Sequence, residues 1–162
     1  RNESIQLAPM VEEIFTDLTP LAEKSGITLE LAGDGVMTGS DALIYRMIFN
    51  LTENAIKYNR PDGSVQVCIT QEPEKLLILV SDTGRGIPEE YQQSIFQPFF
   101  RVDKSRSRTF GGAGLGLALV WEIAALHGGS VRVAESSDSG TTIAAELPRS
   151  GNHAADPKNE TL

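Results

Sequence analysis

The chain has 162 residues, 40% of them hydrophobic and 22% charged, with a formal net charge of −8 at pH 7. That is the length of one domain, able to bury ~70% of its unfolded surface, with the composition of an ordinary soluble protein. An acidic balance excludes a general nucleic-acid binder, no apolar run approaches the ~18 residues of a membrane span, and no apolar stretch follows Arg1-Asn2-Glu3-Ser4 to make a signal peptide.

Residues 4 to 7 read as a short edge strand. Pro9 to Ser25 reads as a helix, with Met10, Ile14, Leu18 and Leu21 at helical spacing and Gly26 as its stop; Pro20 predicts a kink or an early end. Ile27 to Leu31 alternates as a strand, and Gly33-Asp34-Gly35 is a turn. Ser40 is placed to cap a long helix running to about Tyr58. Its stripe Ile44, Ile48, Leu51 and Ala55 should face the core. The neighbouring stripe begins apolar at Leu43 and Met47 and turns polar at Asn50, Asn54 and Lys57, as the wall of a pocket does.

Asn59 to Gly63 is a turn by composition, followed by strands at Ser64 to Thr70 and Lys75 to Ser81 that form a hairpin. Cys68, the single cysteine, falls in the alternation of the first strand as a small buried or half-buried apolar residue; without a disulfide partner it suits a reducing compartment. A short helix is predicted over Pro88 to Ser94. Residues 97 to 113 have no period and read as a mobile loop. Then come a glycine-rich turn, a helix from Leu115 to His127, and strands near 130–135 and 141–147. The polar stretch after Pro148, residues 151–162, reads as a disordered tail, which leaves 1–150 as the domain. A first residue of Arg1 rather than Met predicts a fragment of a longer chain.

Three features carry chemistry. Asn50 and Asn54 share a helix face, and amide oxygens are hard neutral donors of the kind magnesium accepts. Asp82-Thr83-Gly84-Arg85-Gly86 follows an apolar strand, where a carboxylate can accept from an exocyclic amine such as adenine's. Gly112-Ala113-Gly114-Leu115-Gly116 leads into a helix whose N-terminal N–H groups suit phosphate. A dinucleotide fingerprint is rejected there, because the preceding segment is loop-like rather than a strand. Each feature alone has a plainer reading as surface or turn. Together they suggest adenine, a divalent metal and a triphosphate. Arg101, Lys104, Arg106 and Arg108, opposed only by Asp103, make a local basic loop that points to a small anion. Phe96, Phe99 and Phe100 either anchor that loop or face a partner. His127 at a helix end favours the helix dipole electrostatically, and His153 is incidental.

In order, the chain shows Asn50-Leu51-Thr52-Glu53-Asn54-Ala55-Ile56-Lys57-Tyr58, Asp82-Thr83-Gly84-Arg85-Gly86-Ile87-Pro88, Phe96-Gln97-Pro98-Phe99-Phe100-Arg101, Gly112-Ala113-Gly114-Leu115-Gly116-Leu117 and Gly140-Thr141-Thr142. Over roughly residues 4 to 148 it closely resembles the catalytic ATP-binding domain of bacterial two-component sensor histidine kinases, of the GHKL or Bergerat superfamily. The stretches resemble the family's N box, first glycine box, F box, second glycine box and closing Gly-Thr segment. The resemblance implies an α/β fold, an α+β two-layer sandwich of a mixed sheet of about five strands against three helices, with a flexible lid.

By position it implies that Asn54, with Asn50, holds Mg2+ against the phosphates of ATP. Lys57 reaches a phosphate, Tyr58 borders the nucleotide, and Asp82 accepts from the adenine amine. Gly84 and Gly86 let the base approach, with Ile87, Leu115, Leu117 and Thr141 around it. Gly112, Gly114 and Gly116 hinge the lid, and Arg101 and Arg106, with Lys104 and Arg108, are its γ-phosphate candidates. Asn50 stands where hydrolytic relatives carry a glutamate that activates water, and an amide takes no proton at neutral pH. That favours transfer to a protein histidine. Glu53 remains as a carboxylate that assists the incoming histidine.

Three departures from the family pattern stand out: Pro98 inside the F box, Ala113 for a frequent threonine, and Asn59 where a small hydroxyl residue is common. No His-Glu-Leu-Arg-like run is present, so the fragment is expected to bind ATP without phosphorylating itself. The resemblance implies two partners, the dimerisation and histidine-phosphotransfer domain of the parent chain and a cognate response regulator, and no nucleic acid. It also implies a monomeric fragment and a cytoplasmic position in an inner-membrane-anchored sensor. The rivals are a serine kinase of the same superfold acting on a sigma-switch partner and a non-catalytic ATP-sensing interaction module.

Overall fold

A computed structural model describes residues 2–98 and 113–150. The strands are β1 (Glu3–Gln6), β2 (Thr28–Gly33), β3 (Val36–Gly39), β4 (Ser64–Gln71), β5 (Lys75–Asp82), β6 (Ser130–Ser137) and β7 (Gly140–Pro148). The helices are α1 (Leu7–Lys24), α2 (Asp41–Lys57) and α3 (Ala113–Leu126). Five strands form one sheet in the order β2-β4-β5-β7-β6, and β1 pairs with β3 in a separate two-stranded sheet. β2 runs parallel to β4, and the remaining neighbours are antiparallel. β2 and β4 are joined by a crossover that contains β3 and α2, as a parallel pair requires. Among the described residues, the expected mixed five-stranded sheet with three helices is therefore what forms.

The helices cover one face of the sheet. From α1, Leu7, Met10, Val11, Ile14, Leu18 and Ala22 are buried, a stripe at helical spacing. From α2, Ile44, Met47, Ile48, Leu51, Ala55 and Ile56 are buried, and the sheet meets them with Val65, Val67, Ile69, Leu76, Ile78 and Val80. Alternation along β4 and β5 sends these six to the helix side and leaves Cys68 and Leu79 half-buried on the other. Removing one large member such as Leu51 would cost roughly 2–5 kcal/mol. Thr52, fully buried among them, is satisfied by donating to the Ile48 carbonyl at 2.8 Å.

The local chemistry explains the boundaries. The Ser40 hydroxyl accepts from the Leu43 N–H at 3.3 Å and so caps α2, and Asp41 in the first turn favours the helix dipole. Gly26 ends the first helical region with φ at 68°. Pro20 does not stop α1, which continues to Lys24; its ring lies on the exposed face, away from the packed stripe. Two expectations need correction. The short helix predicted over Pro88 to Ser94 is a pair of 3₁₀ turns at Glu89–Tyr91 and Ser94–Phe96. Ile95 and Phe96 are buried there, and Ile87 and Tyr91 pack partly buried against the core. The extra strand β3 was also not expected. The tail 151–162 and most of the predicted loop at 97–113 lie outside the described residues, and among the described residues no helix is long and apolar enough to cross a membrane.

Candidate functional site

β5 ends at Asp82, and two backbone N–H groups aim at its carboxylate. Gly84 donates to Oδ1 at 2.8 Å and Thr141, on β7, donates to the same oxygen at 3.2 Å. Oδ2 has no hydrogen-bond partner among the described residues. The carboxylate is thus held by one oxygen and offers the other. Burial raises the Asp82 pKa above its ordinary value, and the N–H groups of Gly84 and Thr141 pull it partly back. Such a group is strained toward accepting hydrogen bonds, which is what an exocyclic amine supplies.

The turn after Asp82 is packed tightly. A Cβ on Gly84 would lie 2.5 Å from the Tyr58 carbonyl oxygen, and one on Gly86, where φ is 85°, would lie 2.1 Å from the Ser137 carbonyl oxygen. These two glycines were expected on account of an approaching base; the protein's own backbone also demands them. Thr83 bridges two elements. Its hydroxyl donates to Asn59 Oδ1 at 2.8 Å and accepts from the Ser64 N–H at 2.9 Å.

Across β7, Ser136 closes the other side. Its hydroxyl accepts from the Ile87 N–H at 2.8 Å and shares a 2.8 Å hydrogen bond with the Thr141 hydroxyl. A bulge between Val133 and Glu135 makes this possible. The extra residue reverses the alternation of β6, so Ser136 falls opposite Thr141 in register. Ile87 is thereby tied to the carboxylate through two hydroxyls and a backbone N–H.

The second half of the site lies along α2. Asn50, Glu53, Asn54 and Tyr58 are half-buried and Lys57 is exposed. Glu53 and Lys57 face each other with 3.8 Å between Oε2 and Nζ. Neither Asn50 nor Asn54 has a side-chain hydrogen bond among the described residues. Two neutral amide oxygens of this kind fit an ion that takes most of its ligands from phosphate and water. No group of three His, Cys, Asp or Glu that would hold a metal by itself occurs among the described residues.

Helix α3 opens at Ala113, so Gly114, Leu115 and Gly116 lie in its first turn, and Leu117 is buried in the core. Gly112 and the basic candidates Arg101, Lys104, Arg106 and Arg108 lie outside the described residues, as do Phe99 and Phe100. Phe96 is an anchor: it is buried and its ring meets that of Trp121 with centroids 5.7 Å apart.

His127 has a structural part beyond its place at the helix end. It is 5% exposed, and its Nε2 accepts the Ser40 N–H at 3.1 Å while Nδ1 lies 2.9 Å from the Ile123 carbonyl oxygen. With both ring nitrogens engaged, the side chain acts as a strut. It joins the last turn of α3 to the cap of α2. Sequence reasoning missed this strut together with the Asn59–Thr83 and Ser136–Thr141 pairs. The available signal was chemical type alone, a hydroxyl or amide beside a motif, and nothing in the sequence pairs Asn59 with Thr83 across 24 positions or Ser40 with His127 across 87.

Comparison with known proteins bears on what this arrangement does. Residues 39–151 match the family described as histidine kinase-, DNA gyrase B- and HSP90-like ATPase. The chain is 34% identical over 145 residues to the sensor histidine kinase RppB of Synechocystis sp., covering 88% of this chain and 32% of that protein. It is 40% identical over 148 residues to the sensor-like histidine kinase SenX3 of Mycolicibacterium smegmatis, covering 90% of this chain and 38% of that one. It therefore spans about a third of the length of these curated relatives. Among solved structures, the mycobacterial sensor histidine kinase MprB superposes with a TM-score of 0.78 at 27% identity, over 93% of this chain and 99% of that one.

Proposed function

The chain belongs to the histidine kinase-, DNA gyrase B- and HSP90-like ATPase family, and on that premise we propose that it is the ATP-binding catalytic domain of a sensor histidine kinase. Its reaction is transfer of the γ-phosphoryl group of ATP to a histidine carried by a dimerisation domain of the same parent protein. The phosphoryl group then passes to a response-regulator aspartate. The parent would be a membrane-anchored sensor with this domain on the cytoplasmic side.

The observation that carries the reading is Asp82: a half-buried carboxylate, clamped through Oδ1 by two backbone N–H groups and open at Oδ2. Oδ2 would accept from the adenine amine. Guanine, which presents a carbonyl at that position, would meet a carboxylate with nothing to donate. Thr141, Gly84, Gly86 and Ile87 shape the base end, and Tyr58, Gly114, Leu115, Gly116 and Leu117 border the nucleotide. Along α2, Asn54 and Asn50 would hold Mg2+, and Lys57 would leave Glu53 for a phosphate. The metal held by the two asparagines would supply charge neutralisation at the phosphates.

With Asn50 in place of a carboxylate, α2 carries no group at that position to activate water. Glu53 is the nearest carboxylate and would assist the incoming histidine. Rate enhancement then comes from alignment and charge neutralisation, as in other phosphoryl transfers, with Arg101 and Arg106 as candidates for the γ-phosphate. Calorimetric titration tests the core of this. ATP with Mg2+ should bind the wild-type chain, GTP should bind far more weakly, and equal affinities would remove Asp82 from the base site.

A further inference from the structure

We propose that Asn59 is a positioning residue that sets the spacing between the base-reading turn and the phosphate-facing helix. The proposal rests on the nucleotide reading above. ATP is in effect two linked ligands, a base held near Asp82 and a triphosphate held near α2. The gain from linking two ligands is realised only when the two sub-sites stand at the distance the linker spans. Something in the protein has to hold that distance.

Asn59 follows the last turn of α2. Its Nδ2 donates to the Ser64 carbonyl at 2.9 Å, and its Oδ1 accepts from the Arg60 N–H and the Thr83 hydroxyl, both at 2.8 Å. Thr83 is the residue next to Asp82, and its hydroxyl also accepts from the Ser64 N–H. Ser64 opens β4, one residue before Val65, the partner of Asp82 in the β4–β5 ladder. Both ends of one amide thus tie the end of the helix to the strand and turn that present the carboxylate.

The surrounding backbone closes on the same node. A Cβ on Gly63 would strike Asn59 Oδ1 and Thr83 Oγ1, each at 2.4 Å, and Gly84 lies against the Tyr58 carbonyl. A small hydroxyl at position 59 would offer a single atom where this amide offers two, so the two-ended tie belongs to this chain's asparagine.

The test compares whole ATP with its base half. Mg-ATP affinity is measured by calorimetry and adenosine affinity by NMR titration, for the wild type, Asn59→Ala, Thr83→Val and the double variant. The loss of the ties to Ser64 and Thr83, with the local bond from the Arg60 N–H, should lower Mg-ATP affinity about ten-fold in Asn59→Ala. Adenosine, which spans only one sub-site, should stay within about two-fold. The double variant should lose less than the sum of the two single losses, because the two changes share the Asn59–Thr83 bond. Asn59→Ser should recover part of the loss. Equal losses for ATP and adenosine, or no loss of ATP affinity, would overturn the inference while leaving the nucleotide reading intact. A wild-type chain that binds no Mg-ATP would end both. If Asn59→Ala fails to fold, Thr83→Val, close in size and lacking the hydroxyl bonds to Asn59 and the Ser64 N–H, carries the same comparison.

Discussion

Around Asp82 the polar groups are already engaged before any ligand arrives: Gly84 and Thr141 hold the carboxylate, Thr83 is bonded to Asn59 and Ser64, and Ser136 joins Thr141 to Ile87. Along α2, Asn50 and Asn54 engage nothing among the described residues, and Glu53 and Lys57 meet only each other. The base end is built in advance and the phosphate end waits. A rigid, uncharged base can be met by a fixed pocket. A triphosphate with its metal changes charge and shape during transfer, and side chains free to follow it serve better.

If this contrast is right, damage at the base end should cost stability as well as binding, and damage along α2 should cost binding alone. Gly140→Ala is the severest case. Gly140 has φ at 140°, and a Cβ there would lie 1.9 Å from the Asp82 carbonyl oxygen. A loss of about 3 kcal/mol or more is expected, read as a drop in thermal midpoint. A midpoint unchanged from wild type would show that the β6–β7 turn is not wedged against Asp82.

Asp82→Asn should weaken ATP binding by ~1.5–3 kcal/mol, roughly ten- to a hundred-fold. Its effect on the empty fold should have the opposite sign. Burial raises the folded pKa of Asp82 above its ordinary 3.8. Its contribution to stability is therefore full below that value and is lost as pH rises through the raised one. Urea unfolding should find the asparagine variant the more stable at pH 7, with the gap closing toward pH 4. A gap that widens on acidification would contradict the assigned direction.

Asn54→Ala should lower ATP affinity more with Mg2+ than without it, while unfolding free energy stays within ~0.5 kcal/mol of wild type. Equal losses with and without the metal would argue against ligation at this amide. Smallest of all, Lys57→Ala removes an exposed ion pair and should change stability by under ~0.5 kcal/mol. A larger fall would mean that the phosphate end is as prearranged as the base end.

Local features were legible where one stretch of chain decides them. Ser40 capping α2, the β4–β5 hairpin and the strand that delivers Asp82 all follow from patterns within a dozen residues. What escaped depends on pairing between distant residues or on a bulge within a strand. β3 is four residues long and exists because β1, more than thirty positions earlier, lies beside it. Ser136 reaches Thr141 because a bulge reverses the parity of β6, and alternation read from the sequence assumes no such reversal. His127 was legible only as the residue closing a helix, whereas the bare Gly39 lies against its ring where it meets the Ser40 N–H. Roles for individual residues of the glycine and asparagine motifs came from family likeness; their geometry came from the fold.

The parallel seam between β2 and β4 has a practical bearing on how the protein can be cut. The recognisable family stretch begins at residue 39, yet α1 and β2 come earlier and pack on α2 and β4. Expression of residues 39–151 alone would strip the cover from half the greasy interior and leave β4 as an open rim, ready to recruit other copies. A preparation trimmed to its signature would be expected to aggregate, and its silence toward nucleotide would say nothing about the catalytic groups it still carries.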